Sequence, residues 1–270
     1  MPNESERRRW NNEEWVAHWP RRELFTNAVV GPVLKALDPQ PGEQILDIGP
    51  GGGNLSFPVA ARVAPGGKVT GADISVGLTG LARERAHVMR RENVTFEVCD
   101  LQVDPPPGGP FDAATSQFGV MFFEDPVAAF ANIRKSLKPG GRLVFACWQP
   151  GIRNTWCVVP VLVPFMANPP GPPSAGPPPP GPFAFGEPAY VRGILHGSGF
   201  RDISRKARTI ITRIPYDAVA DDSVVRTWGV PPERHDAALE AVAQNMEQFA
   251  QPDGLYRVPL KVQIFTARNP

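Results

Sequence analysis

The fold turns on residues 45–54, Ile45-Leu46-Asp47-Ile48-Gly49-Pro50-Gly51-Gly52-Gly53-Asn54. A short apolar run accepts one carboxylate and then gives way to four glycines. Upstream, Pro39-Gln40-Pro41-Gly42 is a turn, so Gln44 to Ile48 reads as a buried strand. Downstream, Asn54 to Val63 has helical spacing and is closed by Ala64-Pro65-Gly66-Gly67. Glycines at a strand-to-helix turn let the backbone approach a ligand where any Cβ would collide. Two cofactor classes use that device. A dinucleotide needs G-x-G-x-x-G under its pyrophosphate, and here the third such glycine falls on Asn54 and is missing. A carboxylate at Asp47, just ahead of the turn, suits a cationic cofactor better than an anionic pyrophosphate.

The same alternation continues. Lys68 to Ala72 is a second strand ending at Asp73, and Ser75 caps a helix running to about Arg91. Val94 to Val98 is a third strand ending at Asp100. Phe111 to Ser116 is a fourth, followed by a helix capped by Asp125 with Pro126 at its first position. Lys138-Pro139-Gly140-Gly141 ends that helix, and Arg142 to Cys147 is a fifth strand. Strand–helix repetition of this kind predicts a parallel sheet with helices on both faces. Ligands of such sheets lie beyond the carboxyl ends of the strands. Asp47, Asp73, Asp100 and Ser116-Gln117 all fall there.

The flanks are less regular. Residues 1–9 read as a disordered arm, and residues 10–40 as an N-terminal helical lid marked by Trp15 and Trp19. Residues 41–150 form the core. Residues 151–186 are an insertion that starts with an apolar stretch, 153–167, read as a helix, and holds the proline-rich loop 168–182. Residues 187–270 supply helices and two strands, Asp202 to Ile214 and Leu260 to Ala267, that complete the sheet. A mostly helical stretch, 217–250, makes a second lid segment over 215–252. The expected architecture is α/β, Rossmann-like and doubly wound, with a mostly parallel seven-stranded sheet and a helical lid.

Bulk properties narrow the function. The 270 residues carry a formal net charge of +1, too little to attract nucleic acid or an acidic membrane. Three scattered cysteines make neither a disulfide framework nor a zinc pattern. The polar start MPNESERRRW has no apolar core of a signal peptide, and no run approaches the length of a membrane helix. These features predict a cytoplasmic protein that engages no metal, membrane or nucleic acid.

Five segments, in order, carry a family resemblance. "ILDIGPGGG" (45–53) resembles the first motif of class I S-adenosylmethionine-dependent methyltransferases, an acid followed by G-x-G-x-G. "GADIS" (71–75) is similar to their second-strand motif and "CDLQ" (99–102) to their third. "FDAATSQFGVMFFEDPVAAFANIRKSLKPGGRLVFACW" (111–148) resembles the fourth strand, helix and fifth strand of the branch near the ubiquinone and menaquinone C-methyltransferases. "W-N" at Trp10 and "PDG" with the last strand (252–268) match loosely.

The resemblance implies S-adenosylmethionine as cofactor and assigns roles. Asp47 would orient the methionine ammonium, directly or through water. Gly49, Gly51 and Gly53 would form the loop under methionine and ribose, stiffened by Pro50, which stands where the family often has a small residue. Asp73 would accept both ribose hydroxyls, and Ile74 would pack on the adenine. Asp100 would accept from the adenine amino group while the Leu101 N–H meets a ring nitrogen. Gln117 and Phe118 would border the methionine and the transferring methyl.

Methyl transfer from a sulfonium disperses charge, so a dry pocket helps. Holding nucleophile and methyl in line does most of the work. No obligatory triad or metal is expected. Among four histidines, His18 is the candidate base because it lies beside Trp15 and Trp19. Those tryptophans, with Phe122 and Trp148, are candidates for an acceptor lid, and their character favours a small or medium hydrophobic acceptor. The competing readings are an NAD-type oxidoreductase, a nucleic-acid methyltransferase and a non-catalytic S-adenosylmethionine-binding module.

Overall fold

The structure is a computed structural model and describes residues 3–169, 171, 176–218 and 222–270. Among them seven strands form one sheet: β1 (Gln44–Ile48), β2 (Lys68–Asp73), β3 (Val94–Val98), β4 (Phe111–Gln117), β5 (Leu137–Trp148), β6 (Arg201–Ile214) and β7 (Tyr256–Arg268). Their spatial order is β3-β2-β1-β4-β5-β7-β6. The first five are mutually parallel, and β7 enters antiparallel between β5 and β6. The expected α/β, mostly parallel, seven-stranded architecture therefore stands.

Ten α-helices surround the sheet among the described residues: α1 (Glu4–Trp10), α2 (Glu13–Thr26), α3 (Val30–Leu37), α4 (Ser56–Val63), α5 (Val76–Val88), α6 (Pro126–Lys135), α7 (Val159–Leu162), α8 (Pro188–Gly197), α9 (Asp222–Thr227) and α10 (His235–Glu247). The caps read from sequence are made. Ser75 Oγ accepts from Leu78 N at 3.1 Å, and Asp125 Oδ1 from Ala128 N at 2.9 Å. The core runs through β1, β4 and β5, where Ile45, Leu46, Ala113, Ala114, Leu143 and Phe145 are completely buried. Such strands carry apolar residues on both faces because helices cover both. Truncating Phe145 to alanine there would cost about 3–5 kcal/mol. The open edge, β6, instead exposes Arg201, Lys206, Arg208 and Arg213, charges that discourage edge-to-edge pairing.

Several expectations are corrected. Residues 4–9 of the supposed disordered arm form α1 together with Trp10, tied down by Asn3 N donating to Glu124 Oε2 at 3.0 Å. Strand β5 begins at Leu137, so Lys138-Pro139-Gly140-Gly141 lies within it, with a register irregularity opposite β4 between Phe111 and Ala113. The apolar stretch 153–167 forms only the single-turn α7 and flanking 3-10 turns, because Pro160 and Pro164 remove helix donors. Segment 217–250 is split into α9 and α10 near Pro231-Pro232. Residues 170 and 172–175 of the proline-rich loop, and 219–221 of the second lid segment, lie outside the described residues.

The topology creates one crevice. Strand order reverses between β1 and β4, which pair in register Ile45↔Ala113, Leu46↔Ala114 and Asp47↔Thr115. Beyond that register the chains leave in opposite directions, and a Cβ at Gly49 would sit 3.0 Å from the Gly119 α-carbon. The glycine turn and the end of β4 are thereby pressed together at the switch point, where open α/β sheets bind ligands.

Candidate active site

A cavity of about 1150 Å³ opens over this switch point, at or above the upper end of small-molecule sites. Asp47, Gly49, Pro50, Gly51, Asp73, Ile74, Asp100, Leu101, Gln117 and Phe118 all line it, as do Trp15, Trp19, Phe122 and Trp148. Two sequence candidates do not. Gly53 lies behind the wall, its α-hydrogen side filled by the rings of Phe57 and Phe96. His18 is a correction: its Nδ1 lies 2.7 Å from the Glu14 carbonyl of its own helix, and it does not line the cavity.

Asp47 is fully buried at the end of β1. Its Oδ2 accepts from Ser56 Oγ at 2.6 Å, while Oδ1 has no partner. Burial pushes its carboxyl up to about 7; the Ser56 hydroxyl opposes this and the nearby Asp73 adds to it. A buried carboxylate oxygen left without a donor is costly, and a cation in the cavity would relieve it.

Asp73, at the end of β2, accepts from Ser75 N at 2.9 Å through Oδ1 and from Gly51 N at 3.0 Å through Oδ2. Burial raises its carboxyl above the ordinary range, and those backbone N–H groups oppose the rise. Each oxygen keeps a further lone pair, so the carboxylate fixes the turn and can still accept from a diol. Gly49, Gly51 and Gly53 have φ of +63°, +55° and +87°, values that disfavour a Cβ. At Gly51 a Cβ would also lie 2.5 Å from Trp19 Cζ2.

Asp100 follows β3. Its Oδ1 accepts from Asn3 Nδ2 at 2.8 Å and from Gln102 N at 3.1 Å. Its Oδ2 has no hydrogen bond and lies 3.6 Å from Arg7 Nη2. Helix α1 thus covers this end, and Glu6, Arg9 and Trp10 join the lining. Burial raises the Glu6 carboxyl, with Arg9 and Trp10 opposing. No sequence signal pointed to Asn3, since its partner is 97 residues away.

The opposite end is aromatic. Phe118, at the close of β4, holds φ of +68°, uncommon for a residue with a side chain and typical of functional turns. Its ring stacks on Trp148 at 4.1 Å and 13°. Trp148 in turn meets Trp156 at 4.9 Å, and Phe25 meets Trp156 at 4.6 Å. Gln117 Nε2 donates to Thr26 O at 2.8 Å, tying β4 to the end of α2, and its Oε1 is buried without a partner. Where α1 meets α2, Trp10 packs edge-on against Phe122 at 4.8 Å and Trp15 at 5.5 Å.

Residues 45–141 match the family described as "Methyltransferase domain". A SAM-dependent methyltransferase from Aquifex aeolicus superposes with a TM-score of 0.54 over 98% of each chain at 16% identity, a likeness of fold. Over residues 45–141 the chain carries an S-adenosylmethionine-dependent methyltransferase domain, with S-adenosylmethionine as methyl donor. Two curated relatives refine the placement. Nocamycin O-methyltransferase of Saccharothrix syringae is 28% identical over 84% of this chain and 85% of its own length. A ubiquinone/menaquinone biosynthesis C-methyltransferase of Cellvibrio japonicus is 36% identical over 41% of this chain, which spans 45% of that relative. The oxidoreductase reading, already weakened at Asn54, is set aside by this match. Among the described residues no helix is long and apolar enough to cross a membrane.

The residues fit the cofactor. The unpartnered Asp47 oxygen can meet a cation and the Asp73 carboxylate a diol, while the space a Gly51 side chain would take is filled by Trp19. Together these suit a positively charged nucleoside without phosphates.

Proposed function

We propose that this protein transfers a methyl group from S-adenosylmethionine to a small or medium hydrophobic metabolite by in-line displacement. The observation that carries the reading is the buried Asp47 carboxylate, one oxygen unpartnered, beside a bare glycine turn at the sheet's switch point. The bound cofactor supplies an electrophilic methyl. Asp47 holds the methionine ammonium and Asp73 the ribose hydroxyls. The Asp100 oxygen left free by Asn3 accepts from the adenine amino group, with Leu101 and Ile74 beside the base. Gln117 and Phe118 border the methionine end and orient the acceptor toward it.

The Phe118–Trp148 stack and its neighbours Trp156 and Phe25 support an apolar acceptor. They exclude water and offer flat faces to a conjugated or ring-bearing substrate. The lid is drawn from segments 10–40, 151–186 and 215–252, each of which contributes to the cavity wall. The protein acts in the cytoplasm, as a monomer or homodimer, a setting that suits its free cysteines.

Calorimetry with S-adenosylhomocysteine tests the first half of this reading: saturable binding is expected, and its absence ends it. Mass spectrometry of extracts incubated with methyl-labelled cofactor tests the second. Label should enter an apolar metabolite; binding without any transfer would leave a cofactor-binding module.

A further inference from the structure

Three of the four glycines in the turn are explained by their positive φ. Gly52 is not among them, and its backbone suits any residue. Space, not conformation, excludes a side chain there. A Cβ at Gly52 would collide with the Arg85 guanidinium and lie 3.0 Å from Glu23 Oε2 and 3.1 Å from Trp19 Cδ1.

Those three side chains form one unit. Arg85, on α5, donates through Nη1 to Glu23 Oε2 at 2.9 Å and through Nη2 to Glu23 Oε1 at 2.5 Å. The same Nη1 donates to the Gly52 carbonyl at 2.9 Å. Arg85 and Glu23 are only 23% and 14% exposed, so solvent screens this pair less than a surface bridge. A planar guanidinium can serve a carboxylate with both edges while keeping a hydrogen for a carbonyl; a lysine cannot. Glu23 follows Trp19 by one turn of α2, so both project from the same face of the lid helix. Trp19 covers Gly51, and Glu23 reaches Arg85 over Gly52.

We propose that Arg85 is a positioning residue that latches lid helix α2 to the glycine turn, and that position 52 is glycine to seat its guanidinium. This rests on the reading of the turn as the cofactor loop. The latch makes the lid and the turn a single unit. Trp19 stays over Gly51 only while Glu23 is held, and the Gly52 carbonyl is fixed by the same cation. Cofactor can enter or leave past Trp19 only when the latch opens. Arg85 therefore governs residence of the cofactor rather than the chemical step.

The test compares the full-length wild type with Arg85→Met, Arg85→Lys, Glu23→Gln, Gly52→Ala and the double variant Glu23→Gln/Arg85→Met. S-adenosylhomocysteine affinity is measured by calorimetry and its release by stopped-flow tryptophan fluorescence. Arg85→Met is expected to release the ligand about tenfold faster or more, the scale of charge-assisted hydrogen bonds, with binding stoichiometry unchanged. Arg85→Lys should fall between, and Gly52→Ala should mimic Arg85→Met. The double variant should be no worse than Arg85→Met, because Glu23 acts through that guanidinium. If Arg85→Met does not fold, Glu23→Gln and Gly52→Ala carry the same prediction. Release rates within about twofold of wild type in these variants, or losses that multiply in the double variant, overturn the latch. Failure of the wild type to bind S-adenosylhomocysteine overturns the cofactor reading, and the latch with it.

Discussion

The two ends of the cavity are built by opposite means. The end over β1, β2 and β3 is made of backbone and short acids: Asp47, Asp73, Asp100 and bare glycines, each fixed within a few residues of a strand tip. The end over β4 and β5 is made of large rings contributed by distant segments: Phe25 from α2, Phe118 and Trp148 from strand ends, Trp156 from the insertion. The first end can recognise charge and hydroxyl groups. The second recognises mainly shape and apolar surface, with Gln117, Asn154 and Thr155 as polar groups beside the rings.

The contrast breaks most visibly if the acids are not energetically dominant. Asp73→Ala removes the acceptor for Gly51 N and Ser75 N together with the proposed ribose contact. We expect a loss of S-adenosylhomocysteine affinity of about 100-fold or more in calorimetry, since several charge-assisted hydrogen bonds go at once. A loss below about threefold would mean the ligand is held elsewhere.

Protons should act at the acidic end and spare the aromatic one. Asp47 titrates near 7 in the free protein because burial disfavours its charge. A bound ammonium favours the carboxylate, so binding below that pH must expel a proton. Affinity is expected to fall about tenfold per pH unit below 7 and level off above it. The stability sign is fixed by the same shift. A carboxyl raised from its ordinary 3.8 to about 7 contributes most below the lower value and loses that contribution as pH rises through the upper one. Thermal stabilisation by the cofactor should therefore be larger at pH 8 than at pH 6, and Asp47→Asn should flatten both profiles.

How much of this was legible in the sequence follows from the same contrast. Asp47, Asp73 and Asp100 could be read because each sits at the end of a strand whose period and turn residues are local. Ser56, Glu23 and Arg85 could not. Ser56 reaches Asp47 only after the turn has folded, and the Glu23–Arg85 pair joins residues 62 apart. Helix α1 was missed because its sequence, ESERRRW, has no apolar stripe; its order comes from Asn3 meeting Asp100 and Glu124. The opposite error at 153–167 came from apolar content taken as periodicity, when Pro160 and Pro164 allow only one turn.

At the aromatic end the expected effects are smaller and belong to the acceptor. Trp148→Leu should raise the acceptor's KM about tenfold, the worth of a lost ring contact and its buried area, and leave S-adenosylhomocysteine affinity unchanged. If cofactor affinity falls equally, the stack supports the cofactor and the two ends are one site.

The smallest expected effect concerns His18, whose place between Trp15 and Trp19 in sequence made it the candidate base. On α2 those neighbours face the cavity, while the imidazole Nδ1 is within hydrogen-bonding distance of the Glu14 carbonyl. A ring so held carries its proton on Nδ1 and keeps Nε2 outside the cavity wall. His18→Ala should therefore keep kcat and both KM values within about twofold, as expected of a surface substitution near neutral in energy. A loss of kcat alone, at unchanged KM, would show the ring swinging inward to take a proton. The lid would then supply chemistry as well as shape, and the division between a chemically specific end and a mainly apolar one would fail.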